Sequence, residues 1–194
     1  MVLGYHIIIC AYGFWLPNDP RGSWSEVVRR WELLLFGTST KVTTRRSVAH
    51  RSHDRQARLA AKQALSRPPL VFTGPQARAI GRGFGEFVEG RGLLVHACAI
   101  LPQHLHLVIK RHRYDVEQVV NLLKGRATCT LAREGLHPFE PVNSKRPRAF
   151  AQRGWTVYLN TPVESRRAVR YVEENPIREG LPRQRWSFVT PHIV

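Results

Sequence analysis

Two apolar segments joined by a short turn constrain the fold more than any other feature of the sequence. "LLVHACAI" runs from Leu93 to Ile100, and "HLHLVIK" runs from His104 to Lys110. Each segment has the length and apolar content of a buried strand. The residues between them place Pro102 at the second position of a tight turn, where proline is favoured. The two segments therefore predict a β-hairpin.

The hairpin lies within a longer series of predicted elements. A short isoleucine-rich strand closed by glycine precedes it, together with one long helix, and a helix, a strand and a last helix follow it. This is the β-α-β-β-α-β order of ferredoxin-like folds with one added helix. We therefore predict an α+β fold, with a ferredoxin-like antiparallel sheet, helices on one face and an additional C-terminal helix. Outside the hairpin, the predicted elements cover residues 4–13, 73–89, 116–132, 155–159 and 161–175.

Capping signals mark the ends of these helices. Thr73 and Thr161 each precede a proline in the first turn and a Gln or Glu three residues later, which is the pattern of a capping box. Pro176 disfavours helical geometry in the residue before it. The last helix is therefore predicted to end near Asn175.

Residues 41–69 differ in composition from the segments around them. They contain one acid, Asp54, and "RPP" at 67–69 ends a helix predicted over 53–65. A chain of 194 residues is long enough for one domain with a core of its own. We predict a single domain over 1–194 with 41–69 as a basic insertion within it. The basic residues of the insertion include Arg45, Arg46, Arg51, Arg55, Arg58, Lys62 and Arg67.

The charge of the chain predicts a polyanionic partner. There are 30 Lys and Arg residues against 14 Asp and Glu, for a net charge of +16, which favours nucleic acid first and an acidic membrane surface second. No apolar run approaches the roughly 20 residues of a membrane span, and no signal peptide is visible. Cys10, Cys98 and Cys129 lack metal-ligand spacing, as in a reduced cytosolic protein. We expect a cytoplasmic protein.

Two histidines share one face of the second hairpin strand. Side chains alternate across a strand, so Leu105 and Leu107 point one way while His104 and His106 point the other, with Lys110 further along. Neutral imidazoles at i and i+2 can both bind one divalent ion. The alternative is a pair of partly buried histidines hydrogen-bonded to their neighbours. The spacing favours a metal site.

Three stretches of the sequence resemble a known family. "HLH" in a strand resembles the His-hydrophobic-His motif of the HUH single-strand nucleases. "RYVEENPIREGL" at 170–181 and "YGFWLPNDPRGSW" at 12–24 are similar to segments of the REP-associated tyrosine transposases, which are single-tyrosine HUH transposases. The resemblance covers most of the chain, but residues 41–69 do not match the family. It implies that residues 1–194 form one HUH transposase-like catalytic domain.

The resemblance implies a chemistry as well as a fold. Tyr171, on the C-terminal helix, would attack a phosphodiester of single-stranded DNA and keep the 5′-phosphate as a phosphotyrosine. His104 and His106 would be catalytic as ligands of Mg²⁺ or Mn²⁺. Asn175, four residues after the tyrosine and on the same helical face, would be the third ligand. Glu174 is a rival ligand because carboxylates bind hard cations better than amides do.

Several assignments are left open by the sequence. Tyr158 is the reserve nucleophile, although "WTVYL" indicates strand core. His96 could reach the site or be structural, and Asp19 and Arg21 could fix a loop or contact DNA. The resemblance implies single-stranded DNA with a hairpin, of the REP element type, as partner and a nucleoid location. It also leaves a homodimer open.

The basic side chains are candidates for contacts to DNA phosphates. Solvated surface charge is the alternative for each of them taken singly. The predicted nucleic-acid-binding residues are Arg45, Arg46, Arg51, Arg55, Lys110, Lys124, Arg126, Lys145, Arg146 and Arg148.

Other functions fit the sequence less well. A histidine-triad hydrolase needs a third alternating histidine, and Val108 stands at that position. An RRM-type RNA-binding sheet displays aromatic residues, and 93–110 contains none. A catalytically inactive basic protein that binds a DNA hairpin or RNA remains the alternative to a transposase.

Overall fold

The computed structural model describes residues 1–44 and 48–191. The chain divides into two units, one made of Met1–Ala11 with Val71–Val194 and the other of Tyr12–Leu70. The first unit contains the sheet and the long helices. The segment 41–69 lies inside the second unit, and its assignment as an insertion within a single domain stays a prediction.

A four-stranded antiparallel sheet forms the centre of the first unit. The strands are β1 (Gly4–Cys10), β2 (Val95–Ile100), β3 (His104–Lys110) and β4 (Trp155–Leu159). They lie in the order β2-β3-β1-β4, and β1 pairs with both β3 and β4. The predicted hairpin is the β2–β3 pair. The α+β fold and its ferredoxin-like order are confirmed.

Helices cover both faces of this sheet. The helices of the first unit are α3 (Gly74–Arg91), α4 (Val116–Arg133) and α5 (Pro162–Arg178), which follow two helices of the second unit. The helices α3 and α4 pack against each other so closely that a Cβ on Gly83 would lie 3.0 Å from the Cα of Ala127. Because Leu105 and Leu107 are fully buried on the face turned away from α5, we assign that face to the α3–α4 pair. The last helix, α5, covers the face of His104 and His106.

A small apolar cluster holds α5 on the histidine face. Val108 of β3 packs with two alanines of β2 and with Leu159 of β4 beneath Ala168 and Val172 of α5. Val108 is 1% exposed and Val172 is fully buried. This contact fixes α5 against the same strand that carries the two histidines.

The predicted helix starts are confirmed. The Thr73 side chain accepts a hydrogen bond from the backbone N–H of Gln76, and the Thr161 side chain accepts one from the backbone N–H of Glu164. In both helices the N3 side chain also accepts from the N-cap backbone, which completes the capping box.

The predicted end of the last helix is wrong. α5 continues through Pro176 to Arg178. Gly180, at a φ of 71°, then closes the helix. The Gly180 N–H donates to the Ile177 carbonyl at 3.0 Å and the Leu181 N–H donates to the Pro176 carbonyl at 2.8 Å, which is a Schellman motif. The stop signal is therefore the glycine and not the proline.

The second unit has its own small core. Its helices are α1 (Trp31–Leu34) and α2 (Arg55–Gln63), the latter inside the helix predicted over 53–65 and capped by Asp54. The buried apolar residues of this unit are Leu16, Val28, Leu33, Ala61 and Leu65.

An ion pair orders the loop that opens the second unit. The Arg21 guanidinium donates to both carboxylate oxygens of Asp19, at 2.8 Å and 2.7 Å, and lies 3.9 Å from the ring centroid of Trp15. Asp19 is 1% exposed. Of the two roles left open by the sequence, this geometry supports fixing of the loop.

Candidate active site

Three histidines and one tyrosine meet on the face of the sheet that α5 covers. His104 and His106 lie on β3, and His6 lies on the neighbouring strand β1, where it is paired with Val108. This register places His6 diagonally beside His106 on one face. The Nε2 atom of His6 and the Nδ1 atom of His106 are 3.0 Å apart, at hydrogen-bond distance.

The Tyr171 ring contacts this histidine cluster from α5. Its centroid is 5.5 Å from that of His106 and 5.7 Å from that of His6, and both contacts are edge-on. His106 is only 4% exposed and His6 and His104 are partly buried, but 41% of Tyr171 is accessible. A substrate at the surface can therefore reach the tyrosine while the imidazoles lie beneath it.

Burial keeps the three imidazoles neutral near pH 7. Desolvation lowers the pKa of His6 to about 4. The pKa of His106 is held well below its usual value by desolvation and then by the neighbouring imidazoles. Desolvation also lowers the pKa of His104, against an opposing effect of the Glu179 carboxylate. Neutral imidazoles carry a free nitrogen lone pair, which is the state that binds metal ions.

Two buried polar atoms at this site find no hydrogen-bond partner among the described residues. They are Nε2 of His106 and the side-chain nitrogen of Asn175, a residue that is 5% exposed. Unsatisfied buried polar atoms are rare in proteins and call for an explanation, of which an unobserved ion or water is one. A neutral imidazole nitrogen and an amide oxygen are both ligands of divalent cations. The residues present fit a cation.

Asn175 and Glu174 differ in their availability to such a cation. The Glu174 carboxylate accepts a hydrogen bond from Arg178 at 2.6 Å, one helical turn further on. Asn175 is a buried residue of α5, and its side-chain nitrogen finds no acceptor among the described residues; rotating the amide by half a turn would bring its oxygen, the atom that binds cations, to that position. The geometry favours Asn175 as the third ligand. Among residues 1–44 and 48–191, no group of three or more His, Cys, Asp and Glu side chains is arranged to hold a metal ion.

Two residues near the cluster were not predicted from the sequence. His6 has no signal in the sequence, because its position beside His106 depends on the register of β1 against β3. Glu179, which acts electrostatically on His104, is four residues after Asn175 and eight after Tyr171. That spacing is a helical face and was visible in the sequence.

Tyr158 is a poor candidate for the nucleophile. It pairs with Tyr5 across β1 and β4, so it lies on the face of the sheet opposite to His6. Its ring packs edge-on against Tyr5 with centroids 5.4 Å apart, and the residue is 50% exposed. The prediction that Tyr158 is strand core is wrong, because this face is only partly covered at β4.

Most of the predicted phosphate contacts that the structure describes are exposed side chains. Arg45 and Arg46 lie outside the described residues. Arg126 is exposed but lies 3.8 Å from the carboxylate of Glu86, on the α3–α4 side of the sheet. The other exposed residues of the predicted set are Arg51, Arg55, Lys110, Lys145, Arg146 and Arg148.

Lys124 is the exception in this set. It is 9% exposed, and its ammonium donates to the backbone carbonyls of Ala151 and Gln152 at 2.9 Å and 3.1 Å. Desolvation lowers its pKa to about 8. Lys124 holds the loop before β4 on α4, so the prediction that it contacts DNA is not supported by its placement.

A tight turn presents three of the exposed basic residues. Val142 and Lys145 exchange backbone hydrogen bonds of 2.8 Å and 3.0 Å around Asn143 and Ser144, which both have positive φ. Two successive residues with positive φ are typical of a type I′ hairpin turn. The turn leads directly into Arg146 and Arg148, so a basic tip projects from the first unit.

Comparisons with known proteins find similarity among solved structures. No family model matches the sequence, and no curated protein matches it. Among solved structures, the chain is similar to a REP-associated tyrosine transposase bound to a REP hairpin, with a TM-score of 0.48 and 12% identity over 93% of this chain and 70% of that chain. Similarity of this degree carries no information about the chemistry, which is inferred below from the residues of this chain. In the described part of the chain, no helix is long and apolar enough to cross a bilayer.

Proposed function

We propose that this protein is a metal-dependent single-stranded DNA endonuclease and strand transferase, a transposase that recognises a DNA hairpin and cleaves through a 5′-phosphotyrosine. One observation carries the proposal. A half-exposed tyrosine, Tyr171, lies edge-on against His6 and His106, in a partly buried cluster of neutral histidines that includes both histidines of the "HLH" strand. A tyrosine that only packed on the sheet would not need unsatisfied polar atoms around it.

The proposed reaction exchanges one phosphodiester for another. The Tyr171 hydroxyl loses its proton, and its oxygen forms a bond to phosphorus in line with the 3′ oxygen. The bond from phosphorus to that 3′ oxygen breaks, and the 3′ oxygen takes up a proton. The 5′-phosphate remains on the tyrosine, and a 3′-hydroxyl can later reverse the step and join a new end. The energy of the broken ester is thereby retained in the phosphotyrosine.

The protein contributes position and electrostatics to this step. His104, His106 and Asn175 would hold Mg²⁺ or Mn²⁺. When bound, such an ion would stabilise the charge on the non-bridging phosphate oxygens. α5 carries both Tyr171 and Asn175, one turn apart, so the helix couples the position of the nucleophile to that of the ligand set.

The first test concerns the form of the substrate. An enzyme that must align one phosphate for in-line attack needs a flexible strand, which a stacked duplex does not offer. We expect a covalent protein–DNA adduct with labelled single-stranded DNA flanking a hairpin in Mg²⁺ or Mn²⁺, and none with perfect duplex. Denaturing gels measure both. Efficient nicking of blunt duplex would contradict the proposal, and tight hairpin binding without any adduct would favour the inactive nucleic-acid-binding alternative.

The second test concerns the basic tip. Replacing Lys145, Arg146 and Arg148 together by Gln should lower the salt dependence of single-strand binding by about 0.7 in the log–log slope for each phosphate that the variant no longer neutralises. Fluorescence anisotropy over a salt series measures this slope. Arg82→Gln is the matched control, because Arg82 is an exposed arginine engaged by Glu134. An unchanged slope in the triple variant would remove the tip from the interface.

A further inference from the structure

The hydrogen bond between His6 and His106 determines which nitrogen of His106 can bind a cation. A neutral imidazole has one N–H donor and one acceptor nitrogen. Nε2 of His6 and Nδ1 of His106 are 3.0 Å apart, so one of the two carries the proton between them. If Nδ1 of His106 carries it, Nε2 of His106 keeps its lone pair. If His6 carries it, Nε2 of His106 is an N–H and cannot be a ligand.

We propose that His6 is a positioning residue that accepts the hydrogen bond from Nδ1–H of His106 and so presents Nε2 of His106 as a lone-pair donor to the divalent cation. This inference rests on the proposed function. The Nε2 atom of His106 is the buried atom of that ring without a hydrogen-bond partner among the described residues. A lone pair directed at a cation explains that atom, whereas a buried N–H without an acceptor would be left unsatisfied.

His6 also contacts Tyr171, the proposed nucleophile. The His6 ring contacts Tyr171 edge-on at 5.7 Å as well as His106 at 5.2 Å. His6 therefore ties β1 to both functional elements, the ligand strand β3 and the tyrosine helix α5. Partners of ligating histidines typically fix the tautomer and ring orientation, and their loss reduces metal affinity by about 10–100-fold.

Metal affinity without DNA tests this role separately from cleavage. His6→Phe keeps a ring against Tyr171 but removes the acceptor, so we expect Mn²⁺ affinity, measured by calorimetry, to fall by about 10–100-fold. His6→Gln offers an amide oxygen in place of Nε2 and should restore most of the affinity. His96→Phe is the matched control on β2, which pairs with the other side of β3, and it has its own contact to the Thr190 carbonyl, so it should bind Mn²⁺ like the parent.

The tautomer itself is measured on the metal-free parent by ¹⁵N NMR of the imidazoles, which does not depend on any variant folding. We expect the proton of His106 on Nδ1. A proton on Nε2, or a His6→Phe variant that folds and binds Mn²⁺ as tightly as the parent, would overturn the inference alone. A parent that binds no Mn²⁺ would overturn the metal-dependent function together with it.

Discussion

Replacing Tyr171 by Phe is expected to abolish the covalent protein–DNA adduct and all cleavage. A nucleophile cannot be replaced by a side chain of the same shape without its oxygen, and removal of one reduces turnover by about 10⁶-fold in a well-studied hydrolase. The ring that packs against His6 and His106 is kept, and the side chain is half-exposed, so unfolding free energy should change by no more than about 0.5 kcal/mol. Denaturing gels and thermal unfolding measure the two effects.

Tyr158→Phe is the control for this experiment. It removes a hydroxyl of the same kind from the other face of the sheet, and the variant should retain activity. If Tyr171→Phe still forms the adduct while Tyr158→Phe does not, the nucleophile has been assigned to the wrong element. If both variants remain active, the tyrosine mechanism itself is excluded.

Replacing either His104 or His106 by Ala should reduce Mg²⁺- or Mn²⁺-dependent cleavage by at least about 100-fold, because each would remove a ligand of the ion that stabilises charge in the transition state. Hairpin affinity should stay close to that of the parent, since the proposed phosphate contacts lie elsewhere on the chain. Cleavage assays and anisotropy on the same preparations separate the two quantities.

His112→Ala is the control for the loss of a histidine outside the site. His112 lies outside the cluster, where its ring is 3.2 Å from the Arg91 carbonyl, and its loss should leave cleavage unchanged. Excess chelator should abolish DNA cleavage by the parent protein as completely as either substitution does. Full cleavage in chelator would show that the histidines act without a metal ion.

The parts of the fold that the sequence predicted are encoded locally. Two kinds of feature were predicted in this way, the turn around Pro102 and the capping boxes at Thr73 and Thr161. Each involves residues within four positions of one another, so a few consecutive residues are enough to recognise it. The order of these elements was then enough to indicate the ferredoxin-like sheet. The pairing of His104 and His106 on one face follows from strand alternation, and their role as ligands stays a prediction.

The expectations for Pro176 and Lys124 failed for different physical reasons, a local helix-ending motif in the first case and a contact between distant segments in the second. Pro176 was taken as a stop, but the carbonyls of the last turn are satisfied by Gly180 and Leu181, so the helix continues. Because the helix was predicted to end near Asn175, Glu179 was not recognised as the next residue on the face of Tyr171 and Asn175. Lys124 was predicted to contact DNA because composition does not show that carbonyls nearly 30 residues away bind its ammonium.

His6 could not have been found from the sequence at all. Its neighbour His106 is 100 residues away, and a shift of one residue in the pairing of β1 with β3 would turn His6 to the opposite face of the sheet. The sequence of β1 taken alone does not say which residue of β3 lies opposite His6.

The central place of β1 in the sheet also affects how the protein is made. β1 is synthesised before the other strands of the sheet, yet it pairs only with β3 and β4 in the described part of the chain, roughly 100 and 150 residues later. Long-range pairing of this kind slows folding, and domains complete it only once all their strands have emerged. α5 leaves the ribosome after all four strands of the sheet. A nascent chain that lacks α5 therefore holds the histidines without the tyrosine, and on the proposed function it could not cut DNA until α5 has been made and has docked on the sheet.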